Sequence, residues 1–334
     1  MKYSHRIKNK RQRLPDITVI IPVWNRVDIV EKCLDALENQ ETETTRFETL
    51  VVDDGSEDGT YKLLAEYKEK GNLDLRVIKH SYHQNLSAAR NTGLRHAEAN
   101  IVLFLDADIL ARPDVVEIHA NYHRQYLDNN VAILGNVSFP KEWPQTPFAE
   151  INSASKMWRN LKPHEELPWW NFFGGHISAK KNFLISAGGF DEGHSRYEDL
   201  LLGRRLMPMG LKIIYANEAV GFHHHWRTPK EMVSNAMAYT EARLQLYRSG
   251  DPVLMAFLRD HKIEKKMKAS LKRAIAALIA NRMVFPLSLW TANVLMDRFS
   301  SIGTLLTRML CYHVGHSTFK REIIRLESNR KKSG

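Results

Sequence analysis

Four short apolar runs, "ITVIIP", "TLVVDD", "LRVIKH" and "IVLFLD", lie between Ile17 and Asp106, and each stops abruptly at polar residues. Runs that are apolar at almost every position read as strands buried on both faces. Between them Val30, Cys33, Leu34 and Leu37, then Leu63, Leu64 and Tyr67, recur at helical spacing. "SAARNTGLRHA" reads as a third helix with Ser87 as its N-cap, and "VAILGNV" as a fifth strand. Strands that alternate with helical crossovers imply an α/β chain, its mainly parallel sheet flanked by helices. Ligands of such sheets bind beyond the carboxyl ends of the strands. The informative residues are therefore "PVWNR", "DDGSEDGT", "HSYHQN" and "DAD", which follow the four runs in turn.

The chain of 334 residues, 43% hydrophobic, is long enough for one large or two modest domains. Its two cysteines, Cys33 and Cys311, match no metal or redox spacing, which points to a reducing compartment with both thiols in the core. Residues 1–13 carry six Lys/Arg and no acid, and residues 262–334 carry fifteen Lys/Arg against four Asp/Glu. Against a total of +10, the middle of the chain is acidic. Basic ends on an acidic body suit contact with anionic lipid or another polyanion. The basic start is followed by only a short apolar run, so no signal peptide is read. The apolar stretch from Ala274 to Phe299 is broken by Arg282, Pro286 and Asp297, and it reads as amphipathic helices rather than a membrane span.

Two carboxylates at the end of a buried strand are costly to desolvate and call for water, partners or a cation. Asp106 and Asp108 are such a pair, and a period of two puts them on one side if the strand continues. Their oxygen ligands suit Mg²⁺ or Mn²⁺ with a phosphate as co-ligand. Asp53 and Asp54 end a second buried strand, where a carboxylate can accept from a base N–H or a ribose hydroxyl. Gly55 permits the tight turn, and Ser56, Asp58 and Thr60 can cap the next helix. After Val137 the chain breaks at Pro140, Pro144, Pro147, Pro163 and Pro168, with Trp143, Trp158, Trp169 and Trp170 among them. Exposed tryptophans in such loops suit an acceptor sugar, while buried ones are core.

"VIIPVWNR", "VVDDGSEDGT", "LSAARNTGLRHAEANIVLFLDADI" and "AGGFDEGHSRYEDLLLGRRL" stand in this order over about residues 17–226. In sequence and order they resemble the family 2 inverting nucleotide-sugar glycosyltransferases of GT-A fold. The resemblance implies a GT-A type, Rossmann-like, mainly parallel sheet flanked by helices, with a C-terminal helical extension. It implies transfer of a sugar from a nucleoside-diphosphate sugar, with UDP-sugar expected, to a carbohydrate or glycoconjugate acceptor. By the same resemblance Pro22, Val23, Trp24, Asn25, Asp53, Asp54, Arg90 and Asp106 hold the nucleotide, Asp108 and Asp106 the metal, and Asp199 is the base with Glu198 second. Gly174, Gly175, His176 and Trp170 are expected at the donor sugar or acceptor, and His223 and His225 near the metal. Arg90 has a structural ion pair as its alternative role.

The expected organisation is a basic tail over 1–15, a catalytic domain over 16–228 and a basic helical region over 229–334. Within the catalytic domain the nucleotide half spans about 16–138 and the acceptor half about 139–228. A cytoplasmic location is expected, with the C-terminal helices available to an anionic membrane and no nucleic-acid partner. A sugar-1-phosphate nucleotidylyltransferase would share the architecture and the metal, but would want a Gly-rich, Arg/Lys-containing loop where this chain has "PVWNR". A polyanion-binding protein driven by the basic ends is the non-enzymatic alternative.

Overall fold

The computed structural model describes residues 14–140, 158, 160–224, 227–260, 291–292, 306–311, 322 and 325. The four apolar runs form β1 (Ile17–Val23), β2 (Phe47–Asp53), β3 (Leu75–Lys79) and β4 (Ile101–Leu105). They alternate with α1 (Val30–Glu38), α2 (Thr60–Lys70) and α3 (Leu86–His96). Next come β5 (Ile109–Ala111), α4 (Val115–Gln125), β6 (Val131–Ser138), β7 (Glu166–Leu167), β8 (His176–Lys180) and α5 (Lys181–Ser186). α6 (Glu198–Leu206), β9 (Lys212–His223), α7 (Pro229–Ser249) and α8 (Pro252–Asp260) follow.

Among the described residues the strands make one sheet in the order β3-β2-β1-β4-β8-β6-β9-β5, with β7 also paired to β9. The first four are parallel, with Val23 beside Asp53, Asp53 beside Lys79 and Ile20 beside Phe104. β8 runs antiparallel to both β4 and β6, and β7 antiparallel to β9. Periodicity did not single out β8, because "HISAK" is half polar, yet all five of its residues are buried.

Every residue of β1 is buried, as its unbroken apolar pattern requires. α1 buries Val30, Cys33, Leu34 and Leu37, the four residues that helical spacing picks out. α2 fully buries only Leu64 of its expected three. α3 starts one residue before Ser87, and Asn85 is its cap: the Asn85 side chain accepts from the Ala88 N–H at 3.0 Å. Gly93 lets α3 settle onto β1, since a Cβ there would lie 2.3 Å from Cγ2 of Ile20.

The chain divides into two compact units. The first holds Met1–Asn136, Lys162–Phe190 and Arg205–Gly221, and the second Val137–Leu161, Asp191–Arg204 and Phe222–Gly334. In the second unit α7 opens with a capping box between Thr228 and Glu231, and Arg204 pairs with Asp251 at 3.2 Å. Among the described residues no helix is long and apolar enough to cross a membrane. The basic N-terminal residues 1–13 and most of the basic stretch after 260, including the expected amphipathic helices, lie outside the described residues.

The first unit buries a histidine cluster. Ser178 Oγ lies 2.8 Å from Nδ1 of His119 and 2.9 Å from Nε2 of His123, and Nε2 of His119 lies 3.3 Å from Nε2 of His176. Gly135 and Gly221 make room for the His176 ring, which a Cβ on either would meet at 2.4 or 3.3 Å. Burial holds His119 well below its ordinary range, His176 near about 4, and His123 near about 3 with the Lys180 charge adding to the effect. All three rings are therefore neutral when folded, whereas unfolded they take protons below 6.5. The unfolded chain binds more protons between 6.5 and about 4, so stability falls as pH drops through that window. Each ring contributes up to ~1.4 kcal/mol per pH unit there. We expect the thermal midpoint to fall steadily from pH 6.5 to 4.5 and the fall to be shallower in His123→Gln; identical slopes would remove the cluster as the cause.

Candidate functional site

Parallel pairing places the carboxyl ends of β1 to β4 along one edge of the sheet, so the loops that follow them are neighbours. The loops after β1 and β2 are zipped together by four hydrogen bonds. Asn25 N–H donates to Ser56 Oγ (2.8 Å), Glu57 N–H to Asn25 Oδ1 (2.9 Å), Arg26 N–H to Thr60 Oγ1 (2.9 Å) and Val27 N–H to Asp58 Oδ2 (3.1 Å). Ser56, Asp58 and Thr60 thus hold the preceding loop, and Asp58 Oδ1 also accepts from the Thr60 N–H at 3.0 Å at the start of α2. Gly59, not one of them, occupies the N-cap position of α2. Asn25 takes a left-handed backbone, φ 49°. Pro22 and Val23 are buried residues of β1, and Val23 offers its carbonyl to the Asp54 N–H at 2.8 Å. Trp24, nearly half exposed, stacks on His83 with ring centroids 3.9 Å apart.

Asp53 is fully buried, with Oδ1 accepting from the Ser56 N–H at 3.1 Å, a bond that closes the turn. Asp54 is also buried: His80 Nδ1 at 2.7 Å and the Gln84 N–H at 3.0 Å bond its Oδ1, while His83 Nδ1 stands 2.8 Å from Oδ2 without hydrogen-bond geometry. His80 is fixed in turn by Thr92 Oγ1 at 3.0 Å from its Nε2. The sequence pattern marks "HSYHQN" as polar but carries no role for its histidines. Only the parallel pairing of β2 with β3 brings them onto Asp54.

β4 ends at Leu105, and Asp106 to Ile109 form a turn in which the Ile109 N–H donates to the Asp106 carbonyl at 2.9 Å. The extended spacing expected for Asp106 and Asp108 is therefore replaced by a turn. Both carboxylates still act on one point: the Cys33 thiol is pushed far above its ordinary range by burial, then by the charges of Asp108 and Asp106. Arg90 is buried and pairs with Oδ1 of Asp106 at 3.0 Å, its guanidinium 5.3 Å from the Phe190 ring centroid. The ion-pair alternative for Arg90 is what the geometry presents.

Gly174 and Gly175 close over this pair. A Cβ on Gly174 would lie 2.8 Å from Arg90 Nη1, and one on Gly175 would lie 2.6 Å from Asp106 Oδ2. The Asp106 N–H donates to the Gly175 carbonyl at 3.0 Å. The neighbouring motifs are coupled as well: Asn91 of "AARN" donates to the Phe190 carbonyl at 2.9 Å and accepts from its N–H at 2.8 Å, holding the "GGF" turn. His176, expected at the donor sugar, is a correction. Its ring is fully buried in the histidine cluster because β8 turns it toward α4. Trp158 and Trp169 are buried and Trp170 is about one-third exposed, so among these Trp170 alone presents a face; Trp143 lies outside the described residues.

The second unit carries Glu198 and Asp199 in the first turn of α6, directly after Tyr197, which has φ 63°. Asp199 Oδ1 accepts from the Leu200 N–H at 2.8 Å, and Glu198 is buried. Tyr197 packs edge-on against Tyr239, with centroids 5.2 Å apart, and accepts from Arg243 Nε at 3.2 Å. Desolvation of the Tyr239 hydroxyl, then the charge of Asp199, raises it to about 12. His223 ends β9, buried and 6.0 Å from the Phe139 ring. His225 lies outside the described residues.

As a cation site, Asp106 and Asp108 supply two carboxylates. Among the described residues no three His, Cys, Asp or Glu side chains gather in a way that could hold a metal alone. That donor set fits Mg²⁺ or Mn²⁺, which commonly take one or two carboxylates and complete their shell with phosphate oxygens and water.

The glycosyl transferase family 2 model matches residues 18–191, just over half of the chain. The chain belongs to glycosyl transferase family 2. It is 25% identical over 216 residues to the glycosyltransferase AglE of Haloferax volcanii, covering 63% of this chain and 67% of that one. It is 27% identical over 253 residues to the validoxylamine A glucosyltransferase of Streptomyces hygroscopicus subsp. jinggangensis, covering 67% and 59%. This family member therefore spans less than two thirds of that relative's length. The mannosyltransferase PcManGT of Pyrobaculum calidifontis, solved with GDP-Man and Mn²⁺, shares its fold at a TM-score of 0.56, with 22% identity over 91% of this chain and 88% of that one. S. aureus TarS 1–349, solved with UDP, gives 0.50, with 20% identity over 69% and 65%. These likenesses place the chain among GT-A folds.

The loop zip depends on Gly55, whose φ is +74° and whose Cβ would fall 2.5 Å from the Tyr82 carbonyl carbon. Gly55→Ala should therefore cost about 2–4 kcal/mol in denaturant unfolding. A loss below ~0.5 kcal/mol would mean that the loop after β3 yields freely.

Proposed function

We propose that this glycosyltransferase is a metal-dependent, inverting hexosyltransferase that moves a sugar from a nucleoside-diphosphate sugar, UDP-sugar foremost, to an acceptor hydroxyl in polysaccharide or glycoconjugate synthesis. One observation carries the reading: parallel β1, β2 and β4 end along one edge and bring Asp53 and Asp54 into the same row as Asp106 and Asp108. UDP accompanies TarS and GDP-Man with Mn²⁺ accompanies PcManGT in their structures, which supports a nucleotide-sugar donor.

In this reading Trp24, Asn25 and Asp54 hold the nucleotide side, and Asp53 shapes the turn beneath it. Pro22 and Val23 contribute backbone. Asp108 and Asp106 would hold the cation, which when bound offsets charge on the departing diphosphate. Arg90 holds Asp106 in place, and Gly174 and Gly175 allow the chain to pass over both. Asp199 accepts the proton of the acceptor hydroxyl, with Glu198 second. The hydroxyl oxygen bonds to the anomeric carbon as that carbon's bond to the diphosphate breaks, and the nucleoside diphosphate leaves. Trp170 offers an exposed face to a sugar ring, and His223 is a further candidate at the metal. Contact with an anionic membrane through the basic C-terminal stretch is part of the proposal.

Nucleoside diphosphate release from a panel of nucleotide sugars, measured with Mn²⁺ and with chelator, tests the reading. Release should need the metal, fall to background in Asp108→Ala and fall about 10²–10⁴-fold in Asp199→Asn. The product should show inverted anomeric configuration. Retained configuration would remove Asp199 as base, and salt-sensitive polyanion binding with no donor turnover would favour the non-enzymatic alternative.

A further inference from the structure

Three loops of the first unit meet at His83. Its ring lies flat on Trp24, 3.9 Å between centroids and 19° between planes. Its backbone rests on Gly55, where any Cβ would lie 2.6 Å from the His83 nitrogen. Its Nδ1 stands 2.8 Å from Asp54 Oδ2, and its side chain is 44% exposed while that of Asp54 is 3% exposed.

Asp54 follows β2, where a carboxylate can accept from a donor N–H or hydroxyl of a bound nucleotide. Here its Oδ1 already accepts from His80 and Gln84, and its Oδ2 faces His83. A base reaching this edge meets the imidazole before it meets the carboxylate. A bare ring nitrogen 2.8 Å from a carboxylate oxygen would set lone pair against negative charge, so the proton belongs on Nδ1. In the neutral ring this leaves Nε2 as a lone-pair acceptor on an exposed, aromatic-backed surface. Asp54 thereby acts on His83 as a negative charge beside Nδ1, favouring this tautomer by attraction across 2.8 Å.

We infer that His83, oriented by Asp54 and stacked on Trp24, reads the nucleotide base and selects bases with a ring N–H. Uracil N3 and guanine N1 carry a proton that Nε2 can accept. Cytosine N3 and adenine N1 present lone pairs that Nε2 repels. The inference rests on the nucleotide-binding reading above and adds which chemical class of base the site takes.

Calorimetric titration of the full chain at pH 8 with Mg²⁺ tests it, using the size-matched pairs UDP/CDP and GDP/ADP. Within any pair that binds, the N–H base should bind at least tenfold more tightly. His83→Phe keeps a flat ring on Trp24 but lacks Nε2, and it should bring the two members within about threefold; thermal melting checks that the variant is folded. A wild-type protein without the preference, or a preference that survives in His83→Phe, overturns the inference. In that second case nucleotide binding persists and the donor reading stands. If no nucleoside diphosphate binds at all, both fail together.

Discussion

The parallel pairing of β1 with β2 on one side and β4 on the other is the constraint on which the site depends. It aligns three carboxyl ends and so brings acidic residues far apart in sequence into one row. Burying both faces of β1 makes that alignment rigid, because a slip of one residue would turn every side chain to the wrong face. Gly93 contributes from the helix layer by letting α3 lie close to Ile20, and α3 carries Arg90 and Asn91 to their partners.

Carboxylates gathered in this way must be compensated, and each is compensated differently. Asp54 is enclosed by two imidazoles and a backbone N–H, Asp53 by a turn N–H, and Asp106 by a buried guanidinium. Asp108 is partly buried like Asp106, and the fields of both are felt by the buried Cys33 thiol. A cation is the natural counter-charge for a half-exposed pair, and a buried arginine for the member that must not move. The glycines at 174 and 175 belong to the same economy of space, since their missing Cβ atoms are where Arg90 and Asp106 lie.

Interior histidines illustrate a second strategy. His119, His123 and His176 share contacts with one serine and one another and stay neutral. They occupy the junction where antiparallel β8 joins the parallel run through β4, so polar residues sit in the sheet without exposed charge. This arrangement buries the His176 ring, although the residue follows directly on the two glycines that border Asp106.

Local pattern alone determined the alternation of strands and helices from Ile17 to His96, the buried face of α1, and the acidic ends of β2 and β4. Hydrophobic periodicity and strand-end polarity are properties of neighbours in sequence. Tertiary structure decided everything that joins residues across loops: Ser56, Asp58 and Thr60 holding the β1 loop, with Asp58 also accepting from the first N–H of α2, His80 and His83 on Asp54, Arg90 on Asp106, and Asn91 on the "GGF" turn. It also decided that "HISAK" is a buried strand and that Asp106 to Ile109 turn instead of extending. These outcomes depend on which strands pair and how closely backbones approach, and periodicity along the chain carries no information about either.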